Sequence, residues 1–222
     1  IPRYFQGAGN RHMSSYTRQQ LEAYLKTIDV RADRVLDIGG SQLPIKGRTK
    51  SWEVGEYHIM DMECPHEQKR KPDFVVDLNH RDSQFNDLVV PDGFKYESYD
   101  VVFGIELMEY VLDPLDTIRS MRGFLKTYGI IYLSFHLVYP HHEPTACDYF
   151  RYTKSGAQKL LTENGFEIMQ IVPRMAQGAS AYQFYKSNLM RPAKSMKQSE
   201  HEEIGWIIKA KKSDGTAKKY SR

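Results

Sequence analysis

Hydrophobic positions in this chain alternate between helical stripes and short continuous runs. Leu21, Tyr24, Leu25 and Ile28 recur at helical spacing from Tyr16 onward, which predicts a helix ending before Asp29. Thr17 and Gln20 have the spacing of a capping box at its start. The run from Arg34 to Ile38 ends in Gly39-Gly40, the pattern of a buried strand entering a glycine turn. Tyr57–Met60, Phe74–Val76 and Tyr99–Phe103 read as three more strands, the first two ending at Asp61 and Asp77. Asp113 as N-cap and Pro114 as first helical residue open a second helix, with Leu115, Ile118, Arg122 and Leu125 as its inner face. Gly129–Phe135 is a fifth strand, rich in β-forming residues. Thr153 caps a third helix with Ala157, Leu160 and Leu161 inward and Gly165 just past its end. Phe166–Val172 and Ile204–Ala210 complete the strands.

Strands alternating with helices imply a mostly parallel sheet covered on both faces. Such sheets bind ligands at the carboxyl ends of their strands. The positions that matter are therefore Gly39-Gly40-Ser41, Asp61-Met62, Asp77-Leu78, Gly104-Ile105-Glu106 and His136. The length of 222 residues suits one domain. Within it we distinguish an N-terminal helical segment (1–33), a core (34–172), an insertion or cap (173–203), a final strand (204–210) and a basic tail (211–222). The stretch Met175–Glu203 holds Tyr182, Phe184, Tyr185, Leu189 and Met190 among polar residues. A structureless connection of that length is uncommon in a compact domain. It reads as an extra helix on the sheet edge or, the reading adopted, as a cap on the acceptor pocket.

Composition narrows the classes. Hydrophobic residues make up 41% and charged residues 27%, which excludes disordered and fibrous chains. No apolar run approaches the length of a membrane helix, and no secretion signal is visible. Cys64 and Cys147 form no C-x-x-C pair, so neither a thiolate zinc site nor a disulfide scaffold is expected, and a cytoplasmic protein is the simplest reading. The net charge of +3 is small. Its excess crowds the end of the chain, at Lys211, Lys212, Lys218, Lys219 and Arg222, and reads as a solvated tail rather than a nucleic-acid surface.

The first strand and turn read Val35-Leu36-Asp37-Ile38-Gly39-Gly40-Ser41. Glycines here let a ligand approach the backbone, but G-x-G-x-x-G is missing, so a dinucleotide is poorly supported. Asp61 ends the next strand, where a carboxylate accepts both hydroxyls of a ribose. Asp77-Leu78-Asn79 follows the third strand, with an acidic acceptor for an exocyclic amine and Leu78 to pack on a ring. Three such features on consecutive strand ends point to a nucleoside.

Val35-Leu36-Asp37-Ile38-Gly39 resembles the first motif of class I methyltransferases. Tyr99-Asp100-Val101-Val102 through Glu106-Leu107-Met108-Glu109-Tyr110-Val111 resembles their fourth-strand motif, with Glu109-Tyr110 in place of a common Glu-His pair. Leu125-Lys126-Thr127-Tyr128-Gly129 is similar to the turn before their fifth strand, usually Lys-Pro-Gly-Gly. The likeness spans Arg34 to Ile171. It implies a Rossmann-like seven-stranded sheet whose last strand is antiparallel, and S-adenosylmethionine as cofactor. By this resemblance Asp37, Gly39 and Gly40 flank the methionine portion. Asp61 with Met62 holds the ribose, Asp77 and Leu78 the adenine, and Glu106 lies near the sulfonium. Ser41, Leu43 and Tyr128 stand where the family usually has glycine, which leaves the path of the methionine loop open.

After the fifth strand the chain reads His136-Leu137-Val138-Tyr139-Pro140-His141-His142-Glu143-Pro144, then Asp148-Tyr149-Phe150-Arg151-Tyr152-Thr153. A similar pattern occurs in methyltransferases that accompany glycan-assembly enzymes. His141, His142, Glu143 and Asp148 are all metal-ligand types, but adjacent histidines rarely face one ion without a helix to place them, and no metal site is assigned. We read instead an acceptor loop, with Tyr139, His142, Arg151 and Tyr152 contacting the acceptor. His141, then His136, is the candidate base, since imidazole titrates near neutral pH. The expected activity is O-methylation of a small-molecule or glycan acceptor. Methylation of protein or RNA and a non-catalytic, methyltransferase-like binding module are the alternatives.

Overall fold

A computed structural model of the chain describes residues 15–63, 70–84, 87–141, 145–178, 180–188 and 202–214. Its centre is a seven-stranded sheet of order β3-β2-β1-β4-β5-β7-β6. The strands are β1 Asp29–Ile38, β2 Ser51–Asp61, β3 Phe74–Val75, β4 Tyr99–Gly104, β5 Leu125–His136, β6 Phe166–Met175 and β7 Glu203–Lys212. The first five run parallel, and β7 is antiparallel to both β5 and β6. This is the expected Rossmann-like arrangement.

The helices are α1 Tyr16–Leu25, α2 Pro114–Phe124, α3 Lys154–Glu163 and α4 Ser180–Asn188. Side chains alternate along each strand, so two cores form. Leu36, Ile38, Val102, Leu133 and Ile208 pack beneath α2 and α3, around Ile118, Met121, Phe124 and Leu161. Val35, Val101, Phe103 and Ile207 pack on the other face beneath Leu21, Tyr24 and Leu25 of α1. Asp113 and Thr153 cap α2 and α3 as expected, accepting from the N–H groups of Asp116 and Gly156. The cap of α1 differs. Ser15 accepts from Arg18 N–H, and the Gln20 side chain both donates to the Met175 carbonyl and accepts from its N–H. A glutamine read as a local cap thus ties α1 to the end of β6.

Three further expectations change. The buried positions of α2 are Thr117, Ile118, Met121 and Phe124, whereas Leu115 is exposed and Leu125 already begins β5. The two large side chains Met121 and Phe124 set the phase of the stripe. Next, β1 and β2 begin several residues earlier than the apolar runs do. Their first halves are charged and pair across the strands, Lys50 with Asp29, Arg31 with Glu53 and Arg34 with Glu56, so cross-strand charge replaces apolar content there. Finally, β7 continues through Lys212, whose ammonium is buried against the Leu125 carbonyl at 2.7 Å and Glu97 at 2.8 Å. Lys211 and Lys212 are strand residues, and Lys218, Lys219 and Arg222 lie outside the described residues. Among the described residues no helix joins β1 to β2, β2 to β3 or β3 to β4. That half of the sheet carries its ligand-facing side on loops. None of the described helices is long and apolar enough to cross a membrane.

One row crosses the antiparallel end of the sheet: Arg174 of β6 lies opposite Gly205 of β7, which lies opposite His136 of β5. A Cβ on Gly205 would stand 2.6 Å from the Phe135 carbonyl oxygen and 3.6 Å from Cδ of Arg174. The bare glycine lets the strands close, and the arginine stem passes at ordinary contact distance. Gly205→Ala should therefore lower the unfolding free energy by roughly 1–3 kcal/mol in urea denaturation. An unchanged midpoint would show that the close approach is not needed.

Candidate functional site

A cavity of about 580 Å³ opens at the carboxyl ends of β1 to β4. Its wall includes Gly39 after β1, Asp61 and Met62 at β2, Asp77 and Leu78 after β3, and Ile105, Glu106 and Leu107 after β4. Six of the eight residues assigned to cofactor binding thus share one space, namely Gly39, Asp61, Met62, Asp77, Leu78 and Glu106. Asp37 and Gly40 stand behind it.

Asp37 is buried, and its Oδ2 accepts from the Ile45 N–H at 2.7 Å and the Tyr57 hydroxyl at 2.6 Å. It pins the 39–50 loop to β2 in place of a helix. Burial pushes its carboxyl up to about 6, against those two hydrogen bonds. A Cβ on Gly40 would lie 2.4 Å from the same Oδ2, so the second glycine makes room for the carboxylate. Gly39 takes a positive φ of 79°, and its N–H reaches the Met60 carbonyl. Tyr128 has a φ of 65°. It lies within β5, where the register against β4 shifts between Leu125 and Ile130, so the expected turn before the strand is a left-handed irregularity inside it.

Asp61 sits where the loop returns. Its Oδ2 accepts from the Ser41 N–H at 3.0 Å and its Oδ1 from the Met62 N–H at 2.9 Å. A carboxylate has about four acceptor sites, so capacity remains on the cavity side. Asp77 accepts from the Asn79 N–H. The Asn79 side chain donates to the Tyr110 carbonyl and accepts from the Leu112 N–H, bracing the segment that brings Val111 into the wall opposite Leu78. At the other end Arg18 and Arg48 line the cavity while both bind Glu22, at 2.9 and 2.7 Å. Burial works against the ionised Glu22 carboxyl, but Arg48 and Arg18 hold it below the usual range. Neither arginine was legible as a site residue, because their shared glutamate lies on α1 and only the fold brings it near.

Behind Glu106 lies a buried charge cluster. Glu106 closes β4 with a φ of 55°, a strained conformation for glutamate. Its N–H donates to Ser134 Oγ at 2.7 Å, and that hydroxyl donates back to Oε1 at 3.0 Å. Arg174, 1% exposed, reaches across Gly205 to donate to Oε1 at 2.6 Å. His136 presents Nε2 to Glu106 Oε2 at 3.2 Å and to Glu109 Oε1 at 3.4 Å. Burial resists charging His136, but Glu106 and Glu109 outweigh it and push the imidazole up to about 9. Burial also opposes an ionised Glu106, yet His136 and Arg174 hold it far below the usual range. Glu109, Ser134 and Arg174 carried no functional reading from sequence, since strands far apart in the chain bring them together.

The residues assigned to the acceptor separate. Tyr139 lines the cavity and tilts over the His136 ring, centroids 4.3 Å apart. Arg151 is engaged with Asp148 at 2.5 and 2.6 Å and with the Pro140 carbonyl at 3.1 Å. Tyr152 is buried, donating to the Met108 carbonyl and packing on Phe135. Neither faces the cavity. Both fold the loop back, and the Tyr149 and Tyr152 N–H groups bind the Glu109 and His136 carbonyls. His141 is exposed, while His142, Glu143 and Pro144 lie outside the described residues. The segment read as a cap supplies α4, none of whose described residues lines the cavity, and 189–201 lie outside the described residues.

No protein-family model matches the sequence. No curated protein matches it either. Solved structures do match. A methyltransferase from Haloferax volcanii, solved in complex with the Trm112 methyltransferase activator, has a TM-score of 0.52 at 14% identity, over 89% of each chain. An S-adenosylmethionine-dependent methyltransferase from Mesorhizobium loti has a TM-score of 0.53 at 12% identity, over 88% of this chain and 98% of that one. The fold is that of the class I methyltransferases. The [4+2]-cyclase SpnF shares it, with a TM-score of 0.53 at 16% identity over 90% of this chain and 81% of its own. One methyltransferase-fold backbone therefore hosts more than one chemistry, and the reaction must be argued from the site.

The Asp37 pin gives a pH signature. A carboxyl raised in the folded state contributes stability that is complete below its unfolded pKa and lost as pH rises through the folded one, here from about 4 to about 6. Asp37→Asn keeps an oxygen for Ile45 and Tyr57 but cannot ionise. Its stability relative to the parent should rise by roughly 3 kcal/mol between pH 4 and pH 7 in paired denaturation curves. Parallel curves would remove the buried ionisation.

Proposed function

We propose that the chain is an S-adenosylmethionine-dependent methyltransferase that methylates a hydroxyl of a small or sugar-bearing acceptor. The observation that carries this reading is the shared cavity, in which three consecutive strand ends offer a glycine turn, a carboxylate and an apolar slot. Asp61 suits a ribose diol, with acceptor capacity left on the cavity side. Leu78 and Val111 suit a flat base, and Asp77 its amine. Gly39 offers bare backbone near the methionine portion. The volume of about 580 Å³ falls among ordinary small-molecule sites.

The cofactor supplies an electrophilic methyl group and departs as a neutral thioether. The chain's own task is to orient both partners and to take up the acceptor proton. His136 does not suit that second role: it is 3% exposed, and its Nε2 lies between two carboxylates. His141 is the base in this reading. It lies two residues beyond Tyr139, which lines the cavity, and it is exposed. As the methyl group bonds to the acceptor oxygen, the hydroxyl proton passes to its imidazole.

Two variants test this. Asp61→Ala removes charge-assisted hydrogen bonds worth roughly 1.5–3 kcal/mol, so calorimetry should show S-adenosylmethionine binding at least tenfold weaker in a folded protein. Unaltered affinity would refute the ribose assignment. His141→Ala should lower turnover by about 10²–10⁴ and leave cofactor affinity near that of the parent. A variant losing less than tenfold would leave positioning alone as the driver.

A further inference from the structure

We propose that Glu106, Glu109 and His136 form a binding site for a divalent cation at the inner edge of the cavity. The three side chains come from the end of β4, the short 3₁₀ turn Met108–Tyr110 and the end of β5. One donor atom from each lies within 4.8 Å of the others. His136 Nε2 stands 3.2 Å from Glu106 Oε2 and 3.4 Å from Glu109 Oε1. Ligands at about 2.1 Å from a first-row metal ion are separated from one another by about 3.0–3.5 Å, so the two pairs that His136 makes already have that spacing, and the third lies within 4.8 Å.

Glu109 makes the case independent of the spacing. It is 1% exposed, and among the described residues neither of its carboxylate oxygens accepts a hydrogen bond. The protonated His136 imidazole is the one cation that faces it there, and a divalent ion taking that proton's place would meet the carboxylate directly. The 3.4 Å contact with His136 reaches Oε1 and leaves Oε2 unserved.

The surroundings hold the donors in place. Ser134 and Arg174 both bind Oε1 of Glu106 at 3.0 and 2.6 Å, while Arg174 reaches Oε2 only at 3.5 Å, so Oε2 is the less engaged oxygen and faces His136. The Tyr149 and Phe150 N–H groups hold the Glu109 carbonyl, and the Tyr152 N–H holds that of His136. The Asp-Tyr-Phe-Arg-Tyr segment thus orients two ligands through their backbones, as outer-shell groups do around metal centres. Two carboxylates and one imidazole suit Mn²⁺, Co²⁺ or Zn²⁺. When the ion enters, the proton on His136 Nε2 leaves to solvent. Arg174 remains on Glu106, so the site holds a divalent ion with two carboxylates and one guanidinium.

Glu106 also lines the cavity, so a ligand position on the ion is open to it. If the methyl-transfer reading holds, that position takes the acceptor oxygen and lowers its pKa. The cation site itself does not depend on that reading.

The test is titration of the chelator-treated full chain with Mn²⁺, followed by loss of the six-line electron paramagnetic resonance signal of the free ion. The parent should bind one equivalent, and Glu109→Gln should bind at least tenfold more weakly. The neutral isostere removes one of the two carboxylates that face His136, and Glu106 still meets the imidazole at 3.2 Å, so this variant should fold. Should it not, His136→Gln carries the same expectation. Absence of a stoichiometric Mn²⁺ site in the parent, or full binding by a folded variant, would overturn the proposal. S-adenosylmethionine titrated into the same samples separates the two readings. Cation binding without cofactor binding sinks the methyltransferase reading alone, and the reverse sinks the cation site alone.

Discussion

Arg174 lies across β7 and ends on Glu106, and the cavity end of the sheet is organised around that contact. An arginine with 1% exposure is tolerable only if its charge is met. Glu106 meets it at 2.6 Å, and in doing so closes β4 in a left-handed conformation that glutamate adopts at a cost. Gly205 lets β5 and β7 close beneath that path, because a side chain there would collide with the Phe135 carbonyl. The antiparallel turn-back of β7 therefore has a functional consequence. It places β6 within reach of β4 and lets one guanidinium fix the carboxylate that borders the cavity.

The opposite side of the cavity is held by different means. Among the described residues the first three strands are followed by no helix where α/β folds usually insert one, and the connecting segments need pins. Asp37 serves β1 by gathering Ile45 and Tyr57, with Gly40 leaving space for it. Asp61 ties Ser41 to β2, and Asn79 ties the third loop to the segment after β4. Each pin is a short polar side chain at or just beyond a strand end that accepts from a backbone N–H, with the Tyr57 hydroxyl added at Asp37. The cavity owes its shape to these contacts more than to helix packing.

The shared fold with a [4+2]-cyclase shows why the backbone alone leaves the chemistry open. Cyclisation and methyl transfer demand different groups at the reacting atoms. In this chain a pair of glutamates with His136 stands at the cavity, Glu106 in its wall and Glu109 and His136 buried behind it, arranged by strand register and by the returning loop.

The sequence by itself determined the strand ends and most of the helix starts, because these depend on local chemistry. Glycine turns, the Asp113 and Thr153 caps and the apolar runs act within a few residues of themselves. It likewise determined that Gly39, Asp61, Asp77 and Glu106 would meet, since in a parallel sheet all strand ends face one side. Only the tertiary structure decided which polar residues are partners. Asp37 and Gly40 read as ligand contacts but form the support behind the loop. Arg151 and Tyr152 read as acceptor contacts but fold the loop onto Glu109 and His136. His136 read as a base but lies between carboxylates. Each of these outcomes depends on residues from strands distant in sequence, and on a register that no local pattern encodes. The charged halves of β1 and β2 were hidden for the same reason: their stabilising partners lie across the sheet, so alternation of charge in one strand has meaning only beside the other.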